Sequence, residues 1–367
     1  MSEAAGLEAA IGVISGTSMD GIDVALIRSD ADARVEPGPG ATFEYPREVA
    51  GALREVIADP ERARAPLAEL ERAVTDAHVE AVRLFLAKFA IDRREVALVG
   101  LHGQTILHRP RERFTRQLCD GARAAKSLGI DVVNDFRAAD VAAGGEGAPL
   151  VPLYHAAISA GLERPLVLLN WGGVGNVTYI AGDGAIAAFD TGPANALIDD
   201  FLSRRRGVSF DEGGALAASG KVDRAMLSAF LRDPYFDRPP PKSLDRNHFH
   251  AMARAADALS DADGAATLAA FTIEATAASL RHFPQAPARW LVCGGGRRNL
   301  ALMRALEQRL AAKVEPIEAI GYDGDVIEAQ CFAYLALRSR RGWPLSLPAT
   351  TGAPAPLTGG VFWPATP

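Results

Sequence analysis

An α/β fold made of two related halves is predicted by three features of the 367-residue sequence. A strand–glycine turn–strand unit occurs twice, at 11–28 (IGVISGTSMDGIDVALIR) and at 166–180 (LVLLNWGGVGNVTYI), with Gly16 and Gly172 close to half the chain apart. A third apolar strand, WLVCGGGRRN at 290–299, ends in a glycine run and leads into a helical pattern. Helical periodicity alternates with these strands throughout, as an α/β protein requires.

Taken in order, 11–28 is an apolar run, a Gly/Thr/Ser/Asp turn and a second apolar run, hence a hairpin. Helices are expected over 66–89, 193–206, 251–283 and 324–341; the last has an acidic start and an Arg-rich end that suit its dipole. The Pro-rich stretch 234–241 reads as a surface loop, and 344–367, rich in Pro and Gly, as an irregular segment packed on the surface. Such a duplication would place the two hairpin turns facing each other across a cleft.

Composition narrows the function classes. Hydrophobic residues make up 49% and charged residues 23%, within the soluble globular range. The length exceeds what a single core reaches, so two domains are expected. A net charge of -6 disfavours nucleic-acid partners. No apolar stretch approaches the roughly 18 residues of a membrane span, and MSEAAGLEAA, with two glutamates and no basic stretch, is not a signal peptide. Cys119, Cys293 and Cys331 lie far apart without CxxC spacing, as buried thiols in a reducing compartment would; a cytoplasmic location is expected.

Several standard motifs fail. Gly214 to Lys221 has the wrong gap for a Walker A loop, 145–150 and 173–178 lack the third glycine of GxGxxG, and GTSMDG is one residue too long for a GxSxG elbow. There is no HExxH, and His248 and His250 read as loop surface. What remains is a hairpin turn rich in backbone donors and hydroxyls: Ser15, Gly16, Thr17, Ser18, Asp20, Gly21 and Asp23. Its glycines admit an anion and its hydroxyls donate to phosphoryl oxygens. Asp20 and Asp23 would repel bare phosphate, which argues for Mg²⁺ between carboxylate and phosphate. A turn of this composition also closes hairpins that bind nothing. Asn170, Gly172, Gly173, Gly175 and Asn176 form a second such turn, and Gly294, Gly295 and Gly296 a third. Asp190, after the apolar run AIAAF and before a helix starting near Pro193, is placed to act as a base, or simply to cap a turn.

GTSMDGID, LHGQTILH, NDFRAADVAAGGEGAPLVP, NWGGVGN, FDTGPAN, CGGGRRN and DGDVIEAQCFA follow one another in this order from about residue 11 to the end. Together they resemble the anhydro-N-acetylmuramic acid kinases of bacterial cell-wall recycling. The resemblance implies a two-domain actin-like ATPase (ribonuclease H-like) fold with a central nucleotide and substrate cleft. One domain would comprise 1–137 with 345–367, the other 138–344. It also implies that Gly16, Thr17, Ser18, Met19, Asp20, Gly21, Ile22 and Asp23 form a first phosphate loop. Asn170, Gly172, Gly173, Gly175 and Asn176 would form the second, and Gly294, Gly295, Gly296 and Asn299 the adenosine motif. Asp190 matches the catalytic aspartate. Gln104, Arg137, Thr191, Asn195 and Glu328 fall in motifs that line the sugar site, and Asp20 is the expected metal ligand. The segment PPPKSLDRNHF departs from the KSTGRE usual in relatives at Leu244, Asp245 and Asn247, which puts a role for that loop in doubt.

The activity so implied is opening of the 1,6-anhydro ring and phosphorylation of O6, with ATP and Mg²⁺, in a homodimer. A kinase acting on levoglucosan would share these motifs. An ordinary hexose kinase is disfavoured by the absence of DxGxT, and a non-catalytic actin-like ATPase would not need HGQT and FDTGPAN.

Overall fold

The computed structural model describes residues 6–16, 19 and 21–365. The chain divides into two compact units, Met1–Gly161 with Val326–Pro367, and Leu162–Asp325.

The first unit contains β1 (Glu8–Ser15), β2 (Ile22–Ser29), β3 (Val35–Phe43), β4 (Leu98–Arg109), β5 (Phe114–Leu118), β6 (Val132–Asn134) and β12 (Val361–Trp363). Of these, β1, β4 and β6 are near-continuous buried runs, as central strands covered on both faces require. They form a sheet of order β12-β6-β4-β1-β2-β3, with β5 paired to β4. β12 (Val361–Trp363) lies in the segment expected to be irregular. It pairs antiparallel with β6, and the Trp363 indole donates to Asn134 Oδ1 at 2.9 Å, so the chain's end is an edge strand. β1–β2–β3 are antiparallel neighbours, whereas β4 lies parallel to β1 and β6 parallel to β4.

The second unit repeats this plan. β7 (Leu166–Trp171), β8 (Val174–Ile180), β9 (Ile186–Pro193), β10 (Arg289–Cys293) and β11 (Lys313–Pro316) form a sheet of order β11-β10-β7-β8-β9. Again a three-stranded antiparallel meander is extended by two parallel strands on the side of its first strand. The duplication read from two hairpins is therefore a duplication of whole sheets.

The boundaries differ from those expected at 137 and 344. Residues 138–161 and 326–344 belong to the first unit. The reason is glycine. The Ile327–Arg340 helix packs on β1, β2 and β4. A methyl group on Gly12 would lie 1.8 Å from the Ala329 carbonyl oxygen, and one on Gly100 2.1 Å from that of Phe332. Bare backbone in two adjacent strands thus seats the helix directly on the sheet. Tyr154, in the Pro152–Ile158 helix, adds a 2.9 Å hydrogen bond to Gln330.

Other elements are adjusted. The 66–89 and 193–206 patterns are realised as Ala68–Lys88 and Asn195–Arg206. The expected 251–283 helix is broken: Ser260, extended, caps Asp261–Ala278 by accepting from Asp263 N–H at 3.1 Å. The Pro-rich stretch is not a plain surface loop. Pro234–Asp237 forms a 3₁₀ turn that buries Tyr235 and Phe236 in the second unit's core.

Candidate active site

In the second unit, sheet register brings three separate motifs to one end of the strands. Asn170 pairs with Asn176 across the β7–β8 hairpin, Asn176 pairs with Asp190 on β9, and Cys293 on β10 pairs with Asn170. The contact between motifs is close. A methyl on Gly294 (φ +74°) would sit 2.3 Å from Asn170 Oδ1, and one on Gly296 2.6 Å from Trp171 Cβ. Gly175 faces Thr191, whose hydroxyl oxygen would be 2.7 Å from an added methyl. That hydroxyl is buried with no hydrogen-bond partner among the described residues. The turn's carbonyls are also occupied: Gly172 O accepts from Asn195 N–H at 3.0 Å, and Gly173 O from Ala194 and Ala196 N–H. They cap the Asn195–Arg206 helix, which starts close to Pro193 as expected.

Asp190 lies within β9, not beyond its end, and is partly exposed. The 235–244 segment clamps it on three sides. Its N–H donates to Lys242 O at 3.0 Å, its carbonyl accepts from Tyr235 OH at 2.6 Å, and its Oδ2 accepts from Leu244 N–H at 2.8 Å. The loop whose role the sequence put in doubt therefore orients this carboxylate, through main chain that tolerates the departures at 244, 245 and 247. Lys242 is buried beneath it, donating to the carbonyls of Tyr235 (3.2 Å) and Phe236 (3.4 Å) and lying over the Tyr235 ring. Burial, with Arg281 and Arg238 near, lowers the Lys242 ammonium pKa to about 8.

A cavity of about 450 Å³ lies beside the glycine run, lined by Asn195, Ile198, Asp199, Phe210, Asp211, Glu212, Gly213, Gly295, Arg298 and Asn299. Several lining side chains are committed to the frame. Asn195 Nδ2 donates to Trp171 O at 2.8 Å, and Asn299 caps the Leu300–Leu310 helix through Leu302 N–H at 3.0 Å. Arg297 is tied away by Glu318 and Asp325 at 2.7 and 2.9 Å, while Arg298 reaches the cavity. Burial and the neighbouring Asp200 push the Asp199 carboxyl up to about 7.

In the first unit, Thr17, Ser18 and Asp20 lie outside the described residues. Met19 takes a left-handed φ of 56° and donates its N–H to Gly16 O at 3.2 Å. Below the turn is a buried network. Ser15 Oγ donates to Gln104 Oε1 at 2.8 Å and lies 2.9 Å from Tyr45 OH and 3.2 Å from His78 Nε2, and Gln104 Nε2 donates to Gly16 O at 3.2 Å. Both ends of the Gln104 amide are thus spent inside the protein, bracing the turn. Gly21 and Ile22 are buried at the start of β2, and Asp23 Oδ1 accepts from Thr42 Oγ1 at 2.6 Å.

Arg137 donates from Nε to His102 Nε2 at 2.9 Å and from Nη1 to Gly147 O at 2.8 Å. His102 Nδ1 is 2.8 Å from Gly103 O. Burial and Arg137 hold this imidazole neutral, so Nδ1–H donates and Nε2 accepts. Surrounding protein raises the Glu328 carboxyl while Arg137 opposes that shift, and Asp23 adds to it. Arg137 and Asp23 therefore both act electrostatically on Glu328. Sequence reading missed His102, although it begins HGQT, and it missed Tyr235, Lys242, Asp199 and Phe210. His102 and Lys242 lay in quoted motifs, and Phe210 is an aromatic residue set in a Gly/Asp turn; Tyr235 and Asp199 carried no such signal.

Two copies of one mixed sheet, each with a glycine turn joining its first two strands, define the actin-like class of α/β proteins, to which sugar kinases belong. The family model of anhydro-N-acetylmuramic acid kinase matches residues 8–365, and the chain belongs to that family. It is 52% identical over 367 residues to the anhydro-N-acetylmuramic acid kinase of Rhodospirillum rubrum, covering 100% of this chain and 96% of that one. The kinase of the same name from Paramagnetospirillum magneticum is 53% identical over 352 residues, 96% of this chain and 98% of its own. That from Rhizorhabdus wittichii is 50% identical over 358 residues, with the same coverage. The chain is accordingly an ATP-dependent kinase. Among the described residues no helix is long and apolar enough to cross a membrane.

Proposed function

We propose that this chain hydrolytically opens 1,6-anhydro-N-acetylmuramic acid and phosphorylates its O6, giving the 6-phosphate of N-acetylmuramic acid. The observation that carries the assignment of roles is the clamped Asp190 carboxylate, held by Leu244 N–H beside the second glycine turn. In an anhydro sugar O6 bridges to C1 and has no proton to remove. A base is needed instead to activate water. Asp190 takes a proton from water as its oxygen bonds to C1, the C1–O6 bond breaks, and the released O6 bonds to the γ-phosphorus as the bond to ADP breaks. The proton then passes from Asp190 to solvent.

ATP is assigned to the glycine-lined cavity, with Gly295 and Asn299 in its wall and the β7–β8 turn toward the phosphates. Among the described residues no group of three or more metal-ligating side chains could hold an ion. Mg²⁺ is assigned to the phosphates of ATP, with Asp20 as the expected carboxylate contact; the ion would neutralise phosphoryl charge. Arg137 and Glu328 are the sugar-binding side chains, with Gln104 bracing the first turn. Free thiols at Cys119, Cys293 and Cys331 favour a cytoplasmic enzyme.

The reading is tested by ATP turnover with anhydro-N-acetylmuramic acid, N-acetylmuramic acid, levoglucosan and glucose supplied separately; only the first should be consumed efficiently. In ¹⁸O-water the label should enter the C1 hydroxyl of the product and be absent from the phosphate, with C1 exchange controlled. Label in the phosphoryl group would overturn the order of bond changes.

A further inference from the structure

We propose that the Phe210 ring is the surface on which the base of the nucleotide stacks, making it a specificity-determining residue of the ATP site. The inference rests on placing ATP in the cavity of the second unit. That cavity has the volume of an ordinary small-ligand site. Its apolar wall comes from Ile198 and Phe210, which differ sharply: Ile198 is 3% exposed and Phe210 63%. Ile198 is already part of the core, so Phe210 supplies the apolar face still open to a ligand.

A single exposed phenylalanine is ordinary on a protein surface. This one is held in place. The next residue, Asp211, is 9% exposed and spends both carboxylate oxygens on the N–H groups of Leu216 and Ala217, each at 2.9 Å. Gly213 and Gly214 then reverse the chain at φ +60° and +76°. Gly214 lies so close to Asn299 that a methyl group there would be 2.3 Å from Oδ1. The turn carrying Phe210 is thus fixed to the residue that closes the adenosine motif. A neutral aromatic ring offers nothing to phosphate but a face to a planar base. The committed amides and carboxylate nearby set the cavity's shape, leaving the ring to select a flat occupant.

The test uses the full chain and its Phe210→Ala, Phe210→Tyr and Gly295→Leu variants, with ADP and inorganic tripolyphosphate as probes. Loss of base stacking should raise the Kd for ADP and the KM for ATP about tenfold in Phe210→Ala. The KM for the anhydro sugar, inhibition by tripolyphosphate and the melting temperature should stay near wild type. Phe210→Tyr should restore ADP binding. If Phe210→Ala leaves ADP affinity within about twofold while Gly295→Leu, which fills the cavity, abolishes it, the stacking role is wrong and the site stands. Should Gly295→Leu also leave ADP affinity unchanged, the cavity assignment fails and the stacking role with it. A raised sugar KM in Phe210→Ala would mean that the ring faces the sugar, which likewise overturns the proposal.

Discussion

Leu244 donates its main-chain N–H to Oδ2 of Asp190 at 2.8 Å, fixing one oxygen of the carboxylate and leaving the residue partly open to solvent. The oriented oxygen belongs to a β-strand, and the donor to a loop that the sequence alone left without a role.

Asp190→Asn should lower kcat by about 10²–10⁴-fold, the usual loss on removing a general base. The amide oxygen of Asn can still accept from Leu244 N–H, so ADP affinity and melting temperature should remain near wild type. Steady-state kinetics with calorimetric ADP titration checks both halves. A kcat within about threefold of wild type would remove Asp190 from the role of base.

Leu244→Thr should retain kcat within about threefold. The contact is made by backbone, and the side chain is only partly buried against the second core. A loss approaching that of Asp190→Asn would show that the Leu244 side chain itself shapes the site.

Lys242 predicts a pH signature in stability. Its folded-state pKa is lowered to about 8 from 10.5, so above pH 8 the unfolded chain binds more protons. Stability contributed by this group therefore rises as pH climbs from about 8 to 10.5, and is flat below 8. Urea unfolding of wild type and Lys242→Met at pH 7 and pH 10 should show the wild-type advantage growing with pH. An advantage that is equal at both, or smaller at pH 10, would contradict the burial argument.

Two glycines of the first unit separate packing from flexibility. Gly12→Ala places a methyl 1.8 Å from Ala329 O and must displace the Ile327–Arg340 helix, at a cost of about 1–3 kcal/mol or more. Gly51→Ala, in the Arg47–Ile57 helix with nothing within 4 Å, should instead stabilise by about 0.5–1 kcal/mol. Thermal or urea melts of the two variants should move in opposite directions.

Much of this was legible in the sequence because strands with strict apolar runs, such as 166–180, leave little choice of conformation. Glycine turns mark where those strands end, so the convergence of NWGGVGN and CGGGRRN in one unit was readable as well. Placement of the 327–340 helix was not. Its apolar pattern says that it packs, but only the backbone contacts of Gly12 and Gly100 say on which sheet. Asn195 and Gln104 were expected at the sugar. Their amides are engaged by Trp171 O and by Ser15 and Gly16. Such pairings depend on side-chain reach across strands and leave no mark in spacing. β12 was hidden for a related reason: three residues among prolines and glycines carry no period of their own, and become a strand only because β6 offers an edge.

The first unit is discontinuous in the chain, and that has a consequence for biosynthesis. Its central strands emerge from the ribosome early, yet the helix that covers the Gly12 and Gly100 face is encoded after the whole second unit. The second unit, made of one continuous stretch, can complete its core while the first still waits for residues 327–340. Maturation of this protein therefore runs against the usual N-terminal-first order. A nascent chain stalled before residue 327 would display an uncovered sheet face, the state in which chaperones would be most needed.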